Sequence, residues 1–276
     1  MTMPVSEPAA GAAHQDPQRQ PGQEFPYWNL LWELTTVQMK LRDQGTVLGF
    51  FWTLLHPLLM FIVLYALFVK WLGKYVGQYG AYLLIGVMFW NFFQKATSAA
   101  LSSLRSYQGI IMNFKFPREI VVLSAVGAVL WSSLLELGIL LIGLFLIGTR
   151  LHWTWFFLTV VLLQEVALVT GTSMILAVLA VEYQDVERIW EVLCMVLFYL
   201  TPVFYPMAII SEPRRRLLLF NPITQVLIAV RGCILDARLP SLSQFAALSA
   251  LAVLCLVTGV YVLRRCEGRF VDKLLL

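Results

Sequence analysis

Three ionisable residues, Lys95, Glu136 and Glu165, each stand inside an apolar run of this 276-residue chain. A charge surrounded by hydrocarbon is costly, so such residues pair, line a wet path or move protons. Lys95 could pair with a carboxylate across helices; the two carboxylates could relay a proton; any of the three could mark the edge of its run. Pairing is the simplest of these, and a proton-coupled role stands beside it. A second chemically distinctive stretch is the basic loop 105–119, which closes on Phe116, Pro117, Arg118 and Glu119. Between two apolar runs, such a loop reads as a handle for a cytosolic partner. Its plainer reading has Arg118 reaching up to lipid phosphates, its apolar stem laid along the membrane.

Signatures of enzyme chemistry are absent from the sequence. There is no H-E-x-x-H, no Asp-x-Asp and no G-x-S-x-G, and the three histidines, His14, His56 and His152, have no credible partner nearby in the sequence. No phosphate loop of the form G-x-x-x-x-G-K-[ST] occurs: Gly73 and Lys74 come closest, and Phe68 stands where the first glycine should be. Cys194, Cys233, Cys255 and Cys266 form no Cys-x-x-Cys pair and read as packing residues, so no metal or disulfide framework is expected.

Aromatic residues make up 13% of the chain. Rings can stack on the C–H faces of sugars, and Tyr and Trp add a polar edge for hydroxyls. Phe89, Trp90, Phe92, Phe93, Phe198, Tyr199, Phe204 and Tyr205 are therefore candidates for lining a conduit or its outer gate. The alternative for these residues, as for Trp153 and Trp155, is a belt at the membrane interface.

The elements that must hold these residues are membrane helices. Hydrophobic residues are 59% of the chain and charged ones 13%, with a mean hydropathy of +0.77, against roughly 25% charged in soluble domains. A span needs about 20 apolar residues, and six segments approach or exceed that length: 47–69, 82–104, 120–148, 155–181, 190–205 and 245–263. The fifth runs into Thr201-Pro202 and is expected to bend or break there. With both termini cytosolic, the inner side carries eleven Lys and Arg and the outer side eight, Arg231 among them; five of those eight lie in the single segment 206–240.

That segment is too short to cross twice and too apolar for a free loop. Asn221-Pro222 favours a turn, which predicts either two short helices dipping into the outer leaflet or a hairpin on its surface. Before the first span, Tyr27, Leu30, Leu31, Leu34, Val37 and Leu41 recur at helical spacing, with Trp28 and Trp32 suited to headgroups. This predicts an interfacial helix on the cytosolic leaflet over 25–45, preceded by a polar, disordered tail over 1–24 and followed by a membrane domain over 46–264 and a short cytosolic end over 265–276. Gly45 and Gly49 have a spacing that lets helices approach closely.

Several motifs then fall in a recognisable order: TVLGFFW at 46–52 with HPL at 56–58, WNFF at 90–93, NFKFPRE at 113–119 with Ser124, YQDV at 183–186, TPVFYP at 201–206, and Asn221-Pro222 followed by Arg231. Together they resemble type-2 ABC exporter permeases, especially those that move polysaccharides or polyol phosphates. Asp43-Gln44-Gly45 and Gln184 depart from that pattern, where the family often carries aromatic or basic residues. The resemblance implies an all-α integral membrane protein: six transmembrane helices, an N-terminal interfacial amphipathic helix and short re-entrant outer helices. It implies a homodimer in the inner membrane, each copy resting on a separate nucleotide-binding subunit that holds ATP and magnesium.

Carried onto this chain, the family's coupling helix lies near 106–116. Tyr107, Asn113, Phe114, Lys115, Phe116, Pro117, Arg118 and Glu119, with Asp185 in the next cytosolic loop, are the residues it would offer to the ATPase. The expected function is export of a lipid-linked polysaccharide such as O-antigen, capsule or teichoic acid. Its partners are the ATPase, a second copy, the glycan and membrane lipids, with no nucleic acid. Two rivals are a type-2 permease for a small lipophile or drug and an ion-coupled carrier using Glu136 and Glu165.

Overall fold

A computed structural model describes residues 26–43, 51–114, 116–146, 148–149 and 152–274. The tail 1–24, the Gly45 and Gly49 pair, Lys115 and the side chain of Asn113 lie outside the described residues. Among the described residues ten α-helices follow in order: α1 (Tyr27–Asp43), α2 (Phe51–Leu72), α3 (Tyr79–Ser106), α4 (Gln108–Asn113), α5 (Glu119–Leu146), α6 (Leu158–Glu182), α7 (Val186–Leu200), α8 (Glu212–Leu219), α9 (Pro222–Ile234) and α10 (Leu242–Leu274). Among the described residues there is no strand.

Among the described residues four helices are long and apolar enough to cross a membrane: Leu54–Tyr75, Glu119–Leu146, Trp153–Glu182 and Leu242–Glu267. The pair α8 and α9, bent by 99°, reads as a fifth if taken as one broken span. Two of the six expected spans fall outside this set for different reasons. α3 has the length, 28 residues, but carries Asn91, Gln94, Lys95 and Thr97. α7 has only 15 residues, because Thr201-Pro202 stops it as expected.

α3 tolerates its polar residues because it is the hub of the bundle, packed against α2, α5, α6, α7 and α9. Residues 85–93 are buried without interruption and Thr97 is buried too, while the half-buried Gln94 and Lys95 find partners within the subunit. Trp90 Nε1 donates to Gln94 Oε1 at 3.1 Å, and Trp190 Nε1 donates to Thr97 Oγ1 at 3.1 Å. α6 crosses α10 at close range: a Cβ placed on Gly171 or Gly259 would lie under 3.0 Å from the other helix's backbone. Small residues there let the two backbones touch, the usual basis of helix packing where water supplies no drive.

α1 is a helix where the apolar spacing predicted one, and it packs along α5. Thr35 lies against Gly127, and Gln38 Nε2 donates to Ser124 Oγ at 2.7 Å. Leu34 is buried against this neighbour, while Trp28 and Trp32 are 75% and 67% exposed. α10 has 33 residues, about 50 Å at 1.5 Å per residue, so it outruns its apolar window and reaches past the start of α5.

Candidate functional site

Two clusters stand at opposite ends of the bundle. The first surrounds α4, a six-residue helix joined to α3 through Tyr107. Ile110 and Phe114 are exposed, Ile111 is buried, Phe116 is half-buried against the core and Pro117 is exposed. The Tyr107 hydroxyl is buried beside Gln38; burial pushes its pKa up, and Gln38 opposes the shift.

Arg118 and Glu119 do not point away from the subunit. The Arg264 guanidinium grips the Glu119 carboxylate with two bonds, Nη2 to Oε1 at 2.7 Å and Nε to Oε2 at 3.2 Å. Arg118 Nε lies 3.7 Å from Glu267 Oε1, and its guanidinium also donates to the Glu267 carbonyl. These contacts tie the start of α5 to the far end of α10. Tyr27 of α1 adjoins them: burial first, then the Glu119 charge, raises its phenol pKa, and the Arg264 charge opposes this. At the same end Arg105 donates to the Ala180 carbonyl and stands 3.9 Å from Glu187, joining α3, α6 and α7. Asp185 is exposed just before α7, and its carbonyl accepts from Ile189 N–H at 3.0 Å.

The second cluster is built around Arg231, which is 5% exposed. Once α7 ends, the carbonyls of residues 202–205 lie between helices and take side-chain donors. Buried inside the bundle, as Pro202 and Val203 are, such groups need internal donors. Arg231 Nη1 donates to Pro202 O and Nη2 to Val203 O, both at 2.7 Å, while Nε donates to Tyr82 O at 3.2 Å. Tyr79 Oη donates to Phe204 O at 2.9 Å and Tyr82 Oη to Tyr205 O at 3.1 Å. The guanidinium carbon sits 3.5 Å from the Tyr82 ring centroid, a cation–π contact.

Asn221 caps α9 by accepting from Ile223 N–H at 3.0 Å and donates to Thr201 Oγ1 at 2.8 Å. Gly86 makes room: a Cβ there would run into the Arg231 guanidinium and the Val203 carbonyl. Arg231, read from the sequence as an outer-loop cation, therefore drops out of the loop tally. A basic residue at a helical position within an apolar run was the available signal, the same one that singled out Lys95.

The aromatic candidates divide. Phe89, Trp90, Phe92, Phe93 and Phe198 are all buried within the subunit, whereas Tyr199 is 61% exposed and Phe204 and Tyr205 are half-buried. Trp90, Phe93, Phe198 and Phe204 form a continuous run of ring contacts, with centroids 5.6 Å apart for Trp90 and Phe93, 5.7 Å for Trp90 and Phe198, and 5.9 Å for Phe198 and Phe204. Trp90 and Phe93 also face an apolar cavity of about 390 Å³ bounded by Leu200, Asn221 and Cys255. Lys95 Nζ lies 3.3 Å from Glu136 Oε1. Glu165 is fully buried, neither carboxylate oxygen has a partner among the described residues, and it shares a cavity of about 20 Å³ with Glu136, Phe89 and Phe92.

Comparison with known proteins places this arrangement. The chain is similar to the O-antigen export system permease protein RfbA of Myxococcus xanthus, 26% identical over 234 residues, which are 84% of this chain and 90% of that protein. Two proteins of the same name from Klebsiella pneumoniae are each 24% identical over 249 residues, 90% of this chain and 95% of theirs. A family model described as ABC-2 type transporter matches residues 29–235, a stretch that takes in α4, the interrupted end of α7 and the Arg231 cluster. Since it covers well over half of the sequence, this multi-pass membrane chain belongs to the ABC-2 type transporter family.

Proposed function

We propose that the chain is the transmembrane permease subunit of a polysaccharide exporter, moving a lipid-linked glycan across the inner membrane with energy from a separate ATPase. The observation that carries this is the similarity to O-antigen export permeases along 84–90% of the chain. In this reading α2, α3, α5, α6, α7 with the α8–α9 elbow, and α10 are the six spans. Both termini and α4 are cytosolic, the elbow faces outward, and two copies assemble around the conduit.

ATP and magnesium belong to the partner, whose groove receives α4. The exposed Ile110 and Phe114 give that short helix an apolar contact surface, and Asp185 adds a charged contact beside it. Arg118 and Glu119 then act one step back from the partner: through Glu267 and Arg264 they hand motion of the α4 loop to α10. The stacked aromatics from Trp90 to Phe204 support the wall of the conduit, and Tyr199 and Tyr205 are the rings open to it.

The test is twofold. Removing the chain should abolish the surface polymer while its lipid-linked precursor accumulates inside, and the tagged chain, solubilised from native membranes, should bring down a phosphate-loop ATPase. Normal surface polymer in the deletion strain overturns the glycan assignment. Absence of an ATPase from an intact purified chain shifts the reading to an ion-coupled carrier, with Glu136 and Glu165 the residues to test next.

A further inference from the structure

The elbow end holds a pocket of about 580 Å³ where α6, α8, α9 and the start of α10 meet, a size typical of small-ligand sites. Its lining is unlike the rest of this apolar chain. Gln164, only 8% exposed, lines it; its Nε2 donates to Ser249 Oγ at 2.6 Å and to the Phe245 carbonyl at 3.4 Å. A carbonyl can only accept, which fixes the amide's orientation. Gln164 Oε1 is therefore a buried acceptor, and among the described residues it has no donor. Such orphaned groups are rare and call for a partner.

The loop opposite is bent to present polar groups. Ala237 takes φ +51°, a left-handed conformation uncommon outside glycine, and Arg238 N–H donates to Gly232 O at 2.9 Å. Asp236 and Arg238, on either side of Ala237, both line the pocket and are exposed, as are Ser243 and Gln244 at the head of α10. Backbone strain of this kind persists where the surroundings demand it.

The mixture of groups selects among ligands. Arg238 and Arg215 are donors only, which a lipid phosphate would suit. Asp236 and Gln164 Oε1 are acceptors, and a phosphate diester has no hydrogen to give them. Hydroxyl groups donate and accept, so a sugar ring can satisfy all of them at once.

We propose that this pocket is an outer-side saccharide site that receives a sugar unit of the exported polymer as it leaves the bundle. This rests on the glycan-export reading above. Gln164 and Asp236 accept hydroxyl hydrogens, and Arg215, Arg238 and Gln244 donate to ring and hydroxyl oxygens.

The probe is the repeat-unit oligosaccharide freed by mild acid from the cell's own surface polymer, and so without lipid or diphosphate. It is offered to the full chain with its ATPase in lipid nanodiscs, and ligand-observed saturation transfer is measured. Saturation of sugar protons is expected for the natural chain. It should be lost in Ser243→Trp, which fills the mouth from an exposed position, and binding should be about tenfold weaker in Asp236→Ala, the scale of one or two lost hydrogen bonds. Both variants should keep the natural melting temperature and export the polymer more slowly. No saturation in the natural chain, equal saturation in both variants, or displacement of the sugar by millimolar inorganic phosphate would each overturn the site. Loss of surface polymer on deletion, with normal export in Ser243→Trp, is failure of the pocket alone; intact polymer on deletion is failure of the export reading, and the site falls with it.

Discussion

The two ends of the bundle are fastened by different physics. At the α4 end the bonds run between side chains that water reaches: the Arg264 side chain is 63% exposed opposite Glu119 at 11%, and Glu267 is 39% exposed opposite Arg118 at 13%. At the elbow end Arg231 is buried and gives its hydrogens to backbone carbonyls. Exposed ion pairs contribute little and are screened by salt. A buried guanidinium that satisfies the Pro202 and Val203 carbonyls beyond a helix end is hard to replace, because the other donors of the cluster, Tyr79, Tyr82 and Asn221, are taken up by Phe204, Tyr205 and Thr201. The elbow is thus built to keep an interrupted backbone in place, while the α4 end is joined by contacts weak enough to be rearranged by a partner.

The largest expected effect tests the elbow. Arg231→Leu leaves the buried carbonyls of Pro202 and Val203 without their guanidinium donor, and each orphaned buried acceptor costs about 1–3 kcal/mol. The purified variant should show a sharply lower melting temperature in detergent and poor recovery from membranes; a natural melting curve would mean that the cluster does not hold the elbow. Gly86→Ala attacks the same place from α3, forcing a shift of Arg231 and the Val203 backbone, at about 1–3 kcal/mol for overpacking. In the double variant the two losses should add to less than their sum, since both disrupt one set of bonds. Full additivity would separate Gly86 from the cluster. Tyr79→Phe removes a single donor, to Phe204 O, and should cost about 1 kcal/mol, visible as a small, reproducible drop in melting temperature.

Parts of this comparison were legible in the sequence. α2, α5, α6 and α10 stand out by apolar length, and Thr201-Pro202 marks where α7 must stop. α3 was legible as a helix, but the reason it accommodates Asn91, Gln94 and Thr97 lies in five neighbouring helices, which one-dimensional hydropathy does not contain. The α4 loop was legible as a place: its basic residues and Pro117 mark a turn between spans. Its bonding was not, because the partner of Glu119 lies 145 residues away and no local pattern points to it. For the aromatic candidates the sequence carries residue type but not surroundings. Helical periodicity says which rings share a face, not whether that face meets a conduit or another helix of the same subunit, and Trp90 and Phe198 meet each other. Arg231 looked like a loop cation because the segment around it was short, whereas α9 folds back into the bundle with Val226, Leu227 and Val230 completely buried beside it.

The smallest effect on stability is expected at the other end, and it sharpens the contrast most. Glu119→Gln removes the charge that Arg264 grips but keeps the shape and one acceptor. With Arg264 mostly in water, the melting temperature should move less than in Tyr79→Phe, and raising salt should shrink the difference between variant and natural chain, as screening predicts for a pair open to water on its Arg264 side. Function should not follow stability. If the start of α5 drives α10 through this bond, Glu119→Gln should lower the export rate while the ATPase remains bound, and the charge exchange Glu119→Arg with Arg264→Glu should restore part of it. Equal export by the natural chain and Glu119→Gln would leave the bond a local tether and return the coupling role to the exposed face of α4. Loss of ATPase binding in Glu119→Gln would instead make the carboxylate part of the docking surface, although Arg264 covers it in the isolated subunit.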